Sequence, residues 1–330
     1  MPSSSLIRLY HIVRGHIHKN SHLLFYLKGI WRDIWPHAFC RMNLKRQLRA
    51  LEHMRPEEQA YIMRRVNHYC HLEAPILLAD NAYPLSRFTM KKKDRAVTGG
   101  VHSVHYFDCQ EYARFFPKNL KWSMFSGDVN YTFPQPCICK SRPILPPEMP
   151  NNNVLLNLNK VRHFLWIKDP FSWEQKQARI LFRGDVRMKP HRELFIKMWQ
   201  QHPMCDIKEG SGMSLYDHLK YRYIMSLEGN DVASNLKWVM SSNSVAVMPR
   251  PKYETWYMES QLRPDYHYIE ISADYHDLID RINYYEAHPE EAKAIVEHAH
   301  EWVRQFWNKE REDLISLLVL EKYFKGTGQL

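Results

Sequence analysis

Three short stretches of this chain bring together groups that could do chemistry. The first lies inside YRYIMSLEGNDVASNLKWVMSSNS (221–244), where Asn230, Asp231, Ser234, Asn235 and Lys237 follow an apolar run. A helix that begins there offers free backbone N–H groups and a partial positive charge. With a lysine in its first turns, it suits a phosphate. An ordinary capped helix in an α/β core would use the same residues, and the local pattern leaves both readings open. The second stretch is FRGDVRMKPHRELF (182–195), where Gly184 is followed by Arg187, Lys189, His191 and Arg192. An arginine near a helix N-terminus opposes the dipole and has to gain something elsewhere. A bound diphosphate would supply that gain through paired hydrogen bonds; a solvated basic loop is the alternative. The third is SGDVNY (126–131). Asp128 there could accept a proton from a substrate hydroxyl, although an Asp after a Gly is more often a turn residue. KSRPI follows, with Lys140 and Arg142 also suited to anions.

These residues need elements to hold them. Tyr221 onward reads as a buried strand, and NSVAVMP (243–249) as another, so the polar junction sits in a βαβ unit. Such units bind ligands at the carboxyl ends of their strands. ARILFRG (178–184) reads as strand then loop, 190–201 as a helix, and MSLEG, SVAVMP and HYIEIS as strands. Leu278, Ile279, Ile282 and Tyr285 form one apolar helix face. Ala292, Ile295, Val296, Ala299, Val303 and Phe306 form another. The tail from Glu310 is expected to be helical until Gly326. Earlier in the chain, PEEQAYIMRRVNHYC (56–70) has a helix start and a stripe of Ala60, Ile62, Met63, Val66 and Tyr69. Lys91–Arg95 reads as a short charged loop. VHSVHYFD (101–108) is expected to be a strand with His102 and His105 on opposite faces, and CQEYARFFP a helix stopped by Pro117. The stretch from Ser123 to Ile144 is long enough to be functional, NVLLNLN (153–159) reads as a strand, and WIKDPFSWEQK as a linker.

The chain has 330 residues, 45% apolar and 13% aromatic, enough for one large or two medium domains. No apolar run approaches the length of a membrane span, and the N-terminus has no secretory pattern, so a cytoplasmic protein is expected. Cys40, Cys70, Cys109, Cys137, Cys139 and Cys205 lack paired spacing and read as reduced, mostly buried thiols. Residues 1–50 hold nine Lys/Arg against the single acid Asp33, which accounts for eight of the net charge of +10. Phe25, Tyr26, Trp31 and Trp35 are interleaved with them. A solvated extension, an anionic membrane surface and nucleic acid all fit that composition. The phosphate loop GxxxxGK, the dinucleotide pattern GxGxxG and the elbow GxSxG are absent. So is an Asp-x-Asp pair for a metal. The pairs His16/His18, His298/His300 and His102/His105 have no companions that would make them metal sites.

Taken together, GDVNYTFPQP, CKSRPI, VLLNLNKVRHF, FRGDVRMKPHR, LKYRYIMSLEGNDVASNLKWVMSSNSVAVMP and LRPDYHYIEI resemble glycosyltransferase family 90 from about Phe125 to Phe306. GNDVASNLKWVMSSNS and KSRPI look most like its bacterial lipopolysaccharide core branch. The resemblance implies an α/β fold of the GT-B type, with two facing Rossmann-like domains, a cleft between them and a C-terminal helix packing back on the first. The divisions it implies are a basic segment 1–50, an acceptor-side domain 51–168, a donor domain 169–305 and a C-terminal helix 306–330. It implies an inverting transfer of a hexose or pentose from a UDP-sugar to a lipopolysaccharide or lipooligosaccharide core, with no metal and no other cofactor. Arg183, Gly184, Lys189 and Arg192, with Asp231, Ser234, Asn235 and Lys237, would hold the donor. Asp128 would be the base, and Glu254 and Glu259 lesser contacts for sugar hydroxyls. Where eukaryotic members carry an arginine this chain has Asn235, so Lys237 or Lys189 would compensate. The acceptor implies a protein peripheral on the cytoplasmic face of the inner membrane, reached through the basic N-terminus, with no nucleic-acid partner. The rival expectations are a nucleic-acid-binding protein and a sugar-binding relative without turnover.

Overall fold

The computed structural model describes residues 20–330 except 74, 92–99 and 211. Arg8, Arg14, Lys19, the His16/His18 pair and residues 92–95 of the charged loop lie outside the described residues. The described chain forms two compact units: Ser21–Val161 with Tyr253–Met258 and Phe306–Leu330, and Arg162–Lys252 with Glu259–Gln305.

In the first unit, Ser21 Oγ accepts the Leu24 N–H at 3.2 Å and starts α1 (His22–Ile34), which Pro36 separates from α2 (His37–Arg49). A Cβ on Gly29 would stand 2.5 Å from the Phe107 ring, so glycine lets α1 close on that aromatic. α3 (Pro56–Tyr69) begins on proline with Glu57 and Glu58 in its first turn, as the helix dipole favours. Its buried row is Ile62, Arg65, Val66 and Tyr69. Ala60 and Met63, expected in that stripe, face outward. β1 (Tyr83–Pro84) precedes α4 (Ser103–Ala113), and β2 (Lys121–Trp122) pairs with β1. α4 corrects the strand expected at 101–108. Eight of its residues are buried on nearly every side, so no one-sided apolar pattern marks it as helical. β3 (Cys137–Cys139) runs parallel to a later strand, β5 (Asn153–Leu155), and β4 (Ser141–Pro143) lies between them in sequence. α5 (Lys160–His163) leads out of the unit.

The second unit is an open parallel sheet. β6 (Gln177–Gly184) is followed by α6 (Pro190–Trp199), β7 (Cys205–Glu209), α7 (Leu215–His218), β8 (Tyr221–Met225), α8 (Leu236–Met240) and β9 (Val245–Met248). β8 stops at Met225, so most of MSLEG is loop rather than strand. β7 is a short edge strand that the sequence pattern did not announce. After β9 the chain leaves for β10 (Tyr253–Thr255), which pairs antiparallel with β4 in the first unit. It then returns for β11 (Ile269–Glu270), α9 (Leu278–Ala287) and α10 (Pro289–Arg304). Ile180, Phe182, Phe195, Tyr223, Val245, Val247, Leu278, Ile282 and Ile295 share one buried core. α11 (Lys309–Gly326) belongs to the first unit and packs along α3. There Arg65 forms an ion pair with Glu312, and Tyr69 stacks on Trp256 at 3.9 Å. Trp256 Nε1 donates to Glu312 at 2.6 Å.

The sheet order is β11-β9-β8-β6-β7, all parallel. β7 is added on one side of β6, and β8, β9 and β11 on the other. Winding therefore reverses between β6 and β8, the place at which open α/β sheets have their ligand-binding crevice outside the carboxyl ends of the strands. All six cysteines are buried, unpaired thiols. Among the described residues, no helix is long and apolar enough to cross a membrane.

Candidate functional site

The crevice at the β6–β8 reversal gathers part of the expected donor set. Gly184 ends β6, and a Cβ there would stand 2.8 Å from the Phe182 ring and 3.3 Å from Arg192 Nη1. Arg192 lies in the first turn of α6, half-buried. Its gain comes from the protein's own backbone. Nε donates to the Glu228 carbonyl at 2.8 Å, Nη2 to Leu227 at 2.6 Å and Nη1 to Asp185 at 2.9 Å. Three of the five guanidinium donors thus tie the loop after β6 to the loop after β8. His191 Nε2 meets the same Glu228 carbonyl at 2.9 Å. Burial pulls the Arg192 pKa below the usual guanidinium range, against the pull of Asp185.

Lys189 caps α6, with Nζ 3.2 Å from Asp185 Oδ2 and 3.1 Å from the Arg187 carbonyl. Met188 before it is 95% exposed and has a φ of 57°, a left-handed backbone uncommon outside glycine. Hydrogen bonds from Arg187 and then Lys189 hold the Asp185 carboxyl down at about 2. Gly229 lies on the other side of the crevice, where a Cβ would meet Arg192 Nη2 at 3.5 Å and Lys189 Cε at 3.7 Å. Asp231 is buried and its carbonyl accepts the Gly229 N–H at 2.9 Å. Ser234 and Asn235 are half-buried in the turn that follows.

Other members of the expected set serve the fold. Arg183 alternates to the opposite face of β6 from Gly184. It donates to the Asp206 carboxylate at 2.6 Å, and the Tyr221 hydroxyl donates to the same carboxylate at 2.5 Å. Asn235 Nδ2 donates to the last carbonyl of β8, Met225, at 2.9 Å. α8 runs only from Leu236 to Met240, too short for the expected helix-end phosphate site. Lys237 is fully buried and donates to Glu259 at 2.6 Å.

In the first unit, Asp128 is 42% exposed and Lys140 is 5% exposed, with Oδ1 and Nζ 2.5 Å apart. The loop that presents Asp128 is anchored on both sides. Phe125 N–H donates to the Ile138 carbonyl at 2.9 Å, and Val129 N–H to Ser141 Oγ at 3.0 Å. Ser126 Oγ accepts the His102 N–H at 2.9 Å and lies 2.9 Å from His105 Nδ1. Burial, then the charge of Lys140, bring His105 down to about 4, so its ring is neutral near pH 7. The outcome is a half-exposed carboxylate on a fixed loop, ion-paired to a buried ammonium.

Arg142 is fully buried and meets Glu254 at 2.7 Å; His68 Nε2 lies 3.0 Å from the same carboxylate. The carboxylates of Glu254 and Glu259, expected at sugar hydroxyls, are therefore both held in buried ion pairs. His298 stacks on Tyr266 at 3.6 Å, and His300 Nε2 meets the Ser242 carbonyl at 2.8 Å. A hollow of about 470 Å³ at the carboxyl ends of β9 and β11, lined by Arg250, Asp265, Glu270, Ser272 and Arg281, was missed in the sequence. The strand-end rule that drew notice to Gly184 points to it equally, since Arg250 follows the buried β9 and Glu270 ends β11.

The family described as Glycosyl transferase family 90 matches residues 157–325. The chain is 37% identical over 320 residues to the O-glucosyltransferase LpsA of Dichelobacter nodosus, covering 93% of this chain and 96% of that protein. Protein O-glucosyltransferase 3 of Rattus norvegicus is 24% identical over 168 residues, 46% of this chain and 33% of that one. Protein O-glucosyltransferase 2 of Danio rerio is 32% identical over 87 residues, 26% of this chain and 17% of that one. The match to these animal proteins is thus confined to a minor part of their length.

Proposed function

Because the chain belongs to glycosyltransferase family 90 and is a glycosyltransferase, we propose that it moves a hexose or pentose from a UDP-sugar to a lipopolysaccharide or lipooligosaccharide core. Transfer proceeds with inversion and without a metal. Glucose is the first donor sugar to try, since the relatives it matches are named O-glucosyltransferases. The observation that carries the donor half is the crevice at the β6–β8 reversal, edged by Gly184, Lys189 and Gly229.

In this reading the diphosphate lies over the loops after β6 and β8. Two glycines leave room for it, and Arg192 holds the loops at a fixed spacing. Lys189 is the cation that takes up charge on the leaving diphosphate; Arg192, Asn235 and Lys237 position the scaffold around it. Asp128 takes the proton of an acceptor hydroxyl. That oxygen bonds to C1 from the face opposite UDP as the bond from C1 to the diphosphate oxygen breaks. The GT-B arrangement expected of the family belongs to the same proposal.

A membrane-bound acceptor fits the outer face of α1. Leu23, Leu27, Ile30 and Ile34 fall on one stripe and are 47–73% exposed, with Trp31 beside them at 65%. Lys28, Lys45, Arg46 and Arg49 are exposed on α1 and α2, and the one acid of residues 21–50, Asp33, accepts from Tyr106 and Gln110. An apolar stripe bordered by bases suits the surface of an anionic bilayer. A second copy would set these bases against their like in a two-fold interface. The protein accordingly works on the cytoplasmic face of the inner membrane.

The deciding experiment is thermal stabilisation by UDP with and without EDTA, beside GDP and a short DNA duplex. A chelator-insensitive shift with UDP alone, followed by turnover of UDP-glucose, supports the reading. A shift with DNA and none with UDP sinks it.

A further inference from the structure

A cavity of about 490 Å³ lies wholly within the first unit, and Asp128 does not line it. The volume is that of a small-molecule site. Its floor is apolar and aromatic: Leu85, Phe88, Tyr106 and Phe116 are all buried. Its walls are basic, with Arg41 from α2, Arg114 just after α4, and Lys91 and Lys118 at the exposed edge. Asp33 is the lone carboxylate of the lining, and it already accepts from the Tyr106 hydroxyl at 2.7 Å and Gln110 Nε2 at 3.2 Å. Among the described residues, no carboxylate forms an ion pair with any of the four bases. Arg41 Nη1 and His37 Nε2 are shielded from solvent and lack a hydrogen-bond partner. Buried polar atoms in that condition are uncommon in folded proteins. Burial lowers the His37 pKa, against a backbone hydrogen bond at Arg32 and the charge of Asp33, and the charges of Arg114 and Lys118 add to the fall.

We infer that this cavity binds an anionic substituent of a saccharide, a phosphate monoester or carboxylate on a sugar ring, as a subsite for the acceptor. The chemistry follows from the lining. Four like charges around one hollow repel one another unless an anion joins them. Two half-buried guanidinium groups offer the planar, paired donors that phosphate and carboxylate accept. The aromatic floor suits the apolar face of a ring, which a bare inorganic ion would not cover. This subsite rests on the glycosyl-transfer reading above only for its role, not for its chemistry.

The test uses the full chain, with glucose 6-phosphate and glucuronate as probes and glucose as the neutral control. Binding is followed by calorimetry and ligand-observed NMR in the wild type, in Lys118→Gln, and in the pair Arg41→Gln with Arg114→Gln. UDP stabilisation and circular dichroism are measured on the same samples. A charge-assisted contact contributes enough for the anionic sugars to bind at least about tenfold more tightly than glucose. Lys118→Gln, an exposed change that should fold normally, weakens them, and the arginine pair removes them, with UDP stabilisation unaltered. Equal binding of glucose and glucose 6-phosphate overturns the inference. So does full binding in all variants. Phosphatidylglycerol vesicles that need the two arginines, with no binding of either anionic sugar, would assign the cavity to a lipid headgroup instead and also overturn it. Failure of UDP to bind the wild type would strike the donor reading alone.

Discussion

Lys237 Nζ and Glu259 Oε1 lie 2.6 Å apart, and neither side chain is more than 1% exposed. The lysine that looked like a phosphate ligand in the sequence is therefore half of a buried ion pair. Breaking such a pair strands a charge and costs about 3–5 kcal/mol, whereas replacing both partners by apolar groups is often neutral. Lys237→Met should lose about that much stability in urea unfolding. Lys237→Met with Glu259→Leu should recover most of it and keep UDP affinity. A stable double variant that no longer binds UDP would return Lys237 to the ligand.

Asp128 is half-exposed and Lys140 behind it is buried. Asp128→Asn keeps the shape and removes the carboxylate proposed as the base. Transfer should fall about 10²–10⁴-fold, the span of a lost general base, while UDP stabilisation persists. Lys140→Met is the companion measurement. Lost UDP binding in Asp128→Asn would mean that the aspartate serves the donor rather than the acceptor.

Arg192 bridges three backbone carbonyls from two loops. A lysine keeps the charge but cannot span them. Arg192→Lys should raise the donor KM by about tenfold, the worth of one charge-assisted contact, and make residues 185–189 easier to cleave in limited proteolysis. Unchanged donor KM and unchanged cleavage would show that the bridge does not hold the crevice.

His105 is brought to about 4, below its ordinary 6.5, chiefly by burial. Between these two values the unfolded chain binds a proton that the native state does not. Stability from this group is therefore complete above about 6.5 and is lost as pH falls toward 4. His105→Asn should show a flatter fall of Tm than the wild type over that window. Parallel profiles would mean that other groups govern the acid limb.

The outward face of α1 is apolar over Leu23, Leu27, Ile30 and Ile34, so membrane binding should have a part that salt does not screen. Leu27→Glu with Ile34→Glu, both exposed sites, should abolish flotation with phosphatidylglycerol vesicles at high salt and leave UDP stabilisation intact. Flotation that survives in the variant, or that vanishes in the wild type as salt rises, would assign binding to the bases alone.

The amino-acid sequence by itself determined the elements whose apolar residues recur at a short period. β6, β9, α9 and α10 were legible because each buries one face or a continuous run, and that periodicity is local. The glycine turn at Gly184 and the carboxylate at Asp128 were legible as residue types. α4 was not, since a helix buried on nearly all sides has no polar face to set its period. The tertiary structure decided the partners. Sheet order brings the loop after β6 against the loop after β8, and with it Arg192 against carbonyls 35 and 36 residues away in sequence. It likewise paired Lys237 with Glu259 and Arg142 with Glu254, and gathered Arg41 with Arg114 and Lys118 around one hollow. A charged side chain's sequence shows that it can hold an anion. Whether that anion is a substrate or the protein's own carboxylate depends on contacts between distant residues, and those exist only once the chain has folded.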